Sequence, residues 1–193
     1  VERYGTKLFQ YSLTAGIPEL REFIAARCNE KYGLGVTAAD ILITTGSQQA
    51  LDLIAKVTLD PGDGVIVEEP GYLGALQTFL QYAPTFHPVA LSEDGLDVEG
   101  LASALAAPQV KFIYTVPNFQ NPTGLTYSVQ NREAVYHVIR DKNVILIEDD
   151  PYGELRFDGK TLPYIAAGRF DNCILLGSFS KTATPGMRVG YLV

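Results

Sequence analysis

The chain has 193 residues, 47% of them hydrophobic and 19% charged, with a formal net charge of −7. This composition excludes intrinsic disorder, and the length suits one domain with one sizeable core. No apolar run approaches the ~20 residues of a membrane span. No signal-peptide series opens the chain, and an acidic balance without a Lys/Arg cluster argues against nucleic-acid binding through this segment.

Pro18 to Lys31 (PELREFIAARCNEK) carries Leu20, Phe23, Ile24, Arg27 and Cys28 near one helical stripe, opened by Pro18 and closed by Gly33. Ile41–Thr44 reads as a strand, and Gly46-Ser47 leads into a helix with Ala50, Leu51, Ile54 and Val57 at helical spacing. A turn at Pro61–Gly64 precedes a strand at Val65–Val67, and a helix is expected over Tyr72–Tyr82. The alternation continues with strand Thr85–Leu91, helix Val98–Ala107, strand Lys111–Val116, helix Val129–Arg140, and strands Val144–Glu148 and Ile174–Leu176. Arg188–Val193 reads as a further strand with no cap after it, and Val1-Glu2-Arg3 lacks an initiator Met, so the chain is expected to be a fragment. Strands alternating with helices predict an α/β fold: a mostly parallel sheet of about seven strands with helices on both faces.

Cys28 and Cys173 are isolated thiols, expected as buried small hydrophobes. With no Asn-x-Ser/Thr acceptor, because Pro122 follows Asn121, they point to a reducing, cytoplasmic setting. His87 and His137 lie far apart, and no metal site is expected.

In such sheets ligands sit beyond the carboxyl ends of the strands. The segments that follow the strands are Gly46-Ser47-Gln48-Gln49, Glu69-Pro70-Gly71-Tyr72, Pro117 to Gly124 (PNFQNPTG), Glu148-Asp149-Asp150-Pro151-Tyr152 and Gly177-Ser178-Phe179-Ser180-Lys181. Polar, ionisable and glycine-rich residues therefore collect at one sheet edge. Two other letter patterns lack the required context. Gly33-Leu34-Gly35-Val36-Thr37-Ala38 matches G-x-G-x-x-A but follows a helix instead of a strand. Ser178-x-x-Lys181 matches S-x-x-K, but Ala183 stands where K-T-G would need Gly.

The five strand-end motifs resemble the fold-type I, pyridoxal-phosphate-dependent aminotransferases of class I/II, over about Phe9 to Val193. Within that group the chain looks most like the 2-aminoadipate-type aminotransferases, with the aminotransferase-like domain of MocR-type regulators a close relative. The resemblance implies that residues 1–193 are the large, cofactor-binding domain, without the N-terminal arm and the small C-terminal domain. It implies transfer of an amino group between an α-amino acid and a 2-oxo acid through an internal aldimine on Lys181. A neutral amine near a cationic cofactor suits that chemistry.

Further roles follow from the resemblance. Asp149 would pair with the pyridine nitrogen and keep it protonated, and Tyr152 and Asn121 would bond the ring hydroxyl. Gly46, Ser47 and Gln48 would hold the phosphate at a helix N-terminus, with Ser178 and Arg188 as side-chain ligands. Tyr72 would stack on the ring, and Tyr11 would reach the phosphate of a neighbouring subunit, which implies a homodimer. No arginine for a substrate carboxylate is evident, because Arg21, Arg27 and Arg140 fall on helices with surface patterns. The alternative reading is a MocR/GntR-type transcriptional regulator that binds pyridoxal phosphate as effector. Asn118-Phe119-Gln120-Asn121-Pro122 and Asp150-Pro151-Tyr152 look more like the enzyme subgroup.

Overall fold

The computed structural model describes residues 5–166, 169 and 171–193; Val1-Glu2-Arg3 lies outside them. The strands are β1 Leu42–Thr44, β2 Gly64–Glu69, β3 Thr85–Ser92, β4 Gly95–Leu96, β5 Val110–Thr115, β6 Ile145–Asp149, β7 Cys173–Ser178 and β8 Gly190–Leu192. The helices are α1 Pro18–Tyr32, α2 Ser47–Thr58, α3 Leu73–Leu80, α4 Val98–Ala104 and α5 Val129–Ile139.

One sheet runs in the order β1-β8-β7-β6-β5-β2-β3-β4. β7, β6, β5, β2 and β3 pair in parallel, while β8 is antiparallel to both β1 and β7. The chain reverses there because the segment between β7 and β8 holds only a short 3-10 turn at Pro185–Met187, whereas a parallel return needs a crossover. The sheet has eight strands, one more than expected. The addition is β4, a two-residue partner of β3 whose Gly95-Leu96 is too short for any periodicity to register.

The central strands are buried on both faces, as a run such as Gly64–Val67 requires. Val65, Val67, Phe112, Tyr114 and Ile147 face α2 and α3. Ile66, Ile113 and Leu146 face α4 and α5. Helix α1 covers the β1/β8 end, with Ile24 and Cys28 packed near Ile41, Ile43 and Tyr191. Each fully buried large side chain contributes roughly 1.5–3 kcal/mol of transfer free energy. Cys28 is buried as expected, but Cys173 is only half-buried. It stands at the amino end of β7, where the sheet is less covered.

Helix boundaries follow local chemistry. α1 begins at Pro18 and ends at Gly33, which takes φ 66° and donates its N–H to the Asn29 carbonyl. Asp97 and Ser128 cap α4 and α5 through their side chains. The N-terminus of α2 has no side-chain cap: Gly46, at φ 75°, turns the chain from β1 into the helix. Its first amides are thereby left for another acceptor.

Candidate functional site

Ser47, Gln48, Tyr72, Val116, Asn121, Asp149, Pro151, Tyr152, Ser178, Ser180, Lys181, Pro185 and Arg188 line one cavity of about 380 Å³. It lies beyond the carboxyl ends of β1, β2, β5, β6 and β7, where a mostly parallel sheet presents its ligand crevice. Nine of the residues expected from the sequence are on that wall. Gly46 adjoins it: a Cβ there would stand 2.7 Å from Arg188 Nη2, so the guanidinium crosses directly over the glycine. Tyr11 is fully exposed and does not line the cavity of its own chain.

Asp149 ends β6 and is 3% exposed. Its Oδ2 accepts from the Tyr114 hydroxyl at 2.8 Å, and its Oδ1 is buried with no hydrogen-bond partner. Burial pushes the carboxyl up to about 7, against the lowering effect of the Tyr114 bond. A carboxylate oxygen so placed has its solvation removed and not replaced, which favours a protonated nitrogen as its partner.

Elsewhere on the cavity wall the chemistry suits an anion. The uncapped α2 N-terminus, the Ser178 hydroxyl and Arg188 meet there. The side chain of Gln48 is committed elsewhere: its Nε2 donates to the Gly74 carbonyl at 3.0 Å and to the Thr78 hydroxyl. Gln48 therefore ties α2 to α3 and leaves its backbone N–H for a ligand. Gly190 permits the close passage of β8 against Gly46-Ser47, where a Cβ would come within 2.6 Å of the Ser47 nitrogen.

Lys181 follows β7 in the loop to β8 and is exposed, with Nζ 5.7 Å from the centroid of the Tyr152 ring. Tyr72 folds over Gly74, where a Cβ would meet the phenol at 2.5 Å. A buried acid, anion donors, an amine and an aromatic side chain on one cavity wall fit pyridoxal phosphate.

Tyr114, Glu68 and Arg132, which stand behind this wall and hold it, escaped the sequence reading. Tyr114 lies inside the apolar run KFIYTV. Glu68 and Arg132 are 2% and 1% exposed. Arg132 donates to the carbonyls of Tyr127, Pro163 and Pro117 and to Asn118 Oδ1 at 2.7–3.1 Å, so it holds the loop that carries Asn121. Glu148, next to Asp149, accepts from the Ile165 and Ala166 amides at 2.9 and 3.0 Å, and burial pushes it up to about 7. Its own register with Thr115 turns it away from the cavity wall that Asp149 forms. Arg27 pairs with Glu154, and Arg21 donates to the Ile41 and Ala38 carbonyls. No group of three or more His, Cys, Asp or Glu among the described residues is arranged to hold a metal ion.

The family profile for aminotransferase class I and II matches residues 2–193. The 2-aminoadipate transaminase of Thermus thermophilus is 40% identical over 98% of this chain and 47% of its own length. The uncharacterized HTH-type transcriptional regulator YdcR of Escherichia coli is 38% identical over 94% of this chain and 39% of its own. The kynurenine aminotransferase of Pyrococcus horikoshii, solved in complex with PMP, superimposes with a TM-score of 0.92 at 42% identity, covering 99% of this chain and 48% of that one. The chain thus spans about half the length of the aminotransferases it matches.

Proposed function

The chain belongs to the class I and II aminotransferases, and on that premise we propose that it is the cofactor-binding large domain of a pyridoxal-phosphate-dependent aminotransferase. The activity proposed, for the whole protein, is transfer of an amino group between an α-amino acid and a 2-oxo acid. The observation that carries the reading is Asp149 Oδ1, buried without a partner in a cavity that also holds Lys181 and Arg188.

When bound, pyridoxal phosphate supplies an aldehyde and an electron-withdrawing ring that stabilises negative charge at a substrate's α-carbon. Asp149 holds a proton on the ring nitrogen; Tyr114 keeps its carboxylate aimed. The Gly46-Ser47-Gln48 amides, Ser178 and Arg188 bind the phosphate. Tyr72 would cover one ring face, and Asn121 and Tyr152 would donate to the ring hydroxyl. Lys181 would hold the cofactor through its amine, and the same amine would serve as the base and acid for the proton at the substrate's α-carbon.

A homodimer is proposed as well, because Phe9, Tyr11, Leu13, Phe23 and Leu73 are exposed. The free thiols Cys28 and Cys173 support a reducing, cytoplasmic setting. No helix among the described residues is long and apolar enough to cross a membrane. The similarity to YdcR supports a second reading, in which the same cavity takes the cofactor as an effector. An absorbance spectrum with added pyridoxal phosphate, followed by a transamination assay on the full-length protein, tests both. A visible band with turnover supports the enzyme, a band without turnover the regulator, and no band neither.

A further inference from the structure

Glu68 and Gln120 join the two loops that carry Tyr72 and Asn121. Glu68, near the end of β2, accepts at Oε1 from the Val116 amide at 2.7 Å and from the Tyr127 hydroxyl at 2.6 Å. Its Oε2 accepts from Gln120 Nε2 at 2.8 Å. That same Nε2 donates to the Pro70 carbonyl at 2.9 Å. Gln120 Oε1 accepts from the Thr123 amide and hydroxyl at 3.0 and 2.7 Å. Gln120 precedes Asn121, and Pro70 lies two residues before Tyr72. One side-chain amide therefore bridges the loop after β2 and the loop after β5.

Neither residue lines the cavity. Both are buried, Glu68 at 2% and Gln120 at 1% exposure. Burial pushes the Glu68 carboxyl up, while its three donors pull it down. Apolar side chains of similar volume would fill this space without that opposition, so packing alone does not account for the pair. What the polar pair adds is direction: every bond it makes ends on one of the two loops or on Tyr127, where the second loop leads into α5.

We infer that Glu68 and Gln120 are positioning residues of the site, fixing the Tyr72 ring and the Asn121 amide relative to each other and so setting the hydrogen bond to the cofactor's ring hydroxyl. The inference rests on the pyridoxal-phosphate reading above. An N–H donated to that oxygen stabilises its anionic form. Loosening Asn121 therefore raises the pH at which the bound chromophore titrates, and it weakens cofactor binding.

The test is a visible-absorbance pH titration, with cofactor affinity by equilibrium dialysis, on the full-length protein and on Gln120→Ala, Glu68→Gln and Leu101→Val. Leu101 is a fully buried α4 residue that makes no polar contact with Glu68 or Gln120, so its substitution controls for lost stability alone. Gln120→Ala is expected to raise the chromophore's midpoint by about half a pH unit or more and to weaken affinity about three- to tenfold. Glu68→Gln, which puts a donor where an acceptor is needed, should shift both in the same direction, and Leu101→Val should shift neither. Gln120→Ala with wild-type midpoint and affinity overturns the inference, as does an equal shift in Leu101→Val. A wild type that gives no visible band overturns the cofactor reading itself, and the inference with it.

Discussion

The Tyr114 hydroxyl donates to Asp149 Oδ2 at 2.8 Å, and both residues are sealed from solvent at 1% and 3% exposure. Strand β5 thereby fixes an acid that stands at the end of strand β6. The bond lowers the Asp149 carboxyl against a larger upward push from burial. Tyr114→Phe removes the lowering effect, so Asp149 becomes harder to ionise. In the cofactor-loaded protein turnover should fall about tenfold, and the acid limb of the pH profile should move upward, as expected for one hydrogen bond to a charged group. An unchanged acid limb would show that Tyr114 does not govern Asp149.

Asp149 also predicts a pH dependence of the cofactor-free protein. Its carboxyl rises from an ordinary 3.8 to about 7 on folding. Between those values the folded state holds a proton that the unfolded state has lost, so this group's contribution to stability falls as pH rises through that window. Asp149→Asn preserves an acceptor for Tyr114 and removes the ionisation. The cofactor-free variant should be more stable than wild type at pH 8 by roughly 1–2 kcal/mol, with the gap closing toward pH 5. Thermal melts at the two pH values check it; a variant less stable at pH 8 contradicts it.

The strand-end motifs were legible because each follows an apolar run, so topology alone carries Ser47, Tyr72, Asn121, Asp149 and Lys181 to one edge. The residues that hold them were not legible. Tyr114 lies in an apolar strand where its hydroxyl gives no signal. Arg132 lies within QNREAVYHVI, where a charged residue reads as solvent-facing, yet it is 1% exposed because loop carbonyls converge on it. Glu68 reads as a strand terminus, although three donors from distant segments surround it. Such partners meet only through long-range register, which local pattern does not encode. Tyr11 stands fully exposed on the single chain, and the role proposed for it needs a second subunit.

Arg132 should be costly to remove. Its guanidinium satisfies the Pro117, Tyr127 and Pro163 carbonyls and Asn118 Oδ1 together. Arg132→Met fills much of the volume but leaves those acceptors without donors. A loss of about 3 kcal/mol or more in urea unfolding is expected, whereas a loss under ~1 kcal/mol would mean that water replaces the guanidinium.

Gly74 separates stability from binding. It is a helical glycine of α3, so Gly74→Ala should raise helix stability by up to about 1 kcal/mol. A Cβ there would stand 2.5 Å from the Tyr72 phenol and push the ring from its position. Cofactor affinity should fall severalfold while the cofactor-free melting temperature holds or rises. Unchanged affinity would remove Tyr72 from the ring-stacking role.

The most direct measurement is borohydride reduction of the full-length protein mixed with pyridoxal phosphate, followed by peptide mass mapping. Lys181 lines the same cavity as Asp149 and Arg188. The account predicts a phosphopyridoxyl group on Lys181 alone, lost in Lys181→Ala. An adduct on other lysines with Lys181 unmodified, or no adduct while the protein is folded, would contradict it.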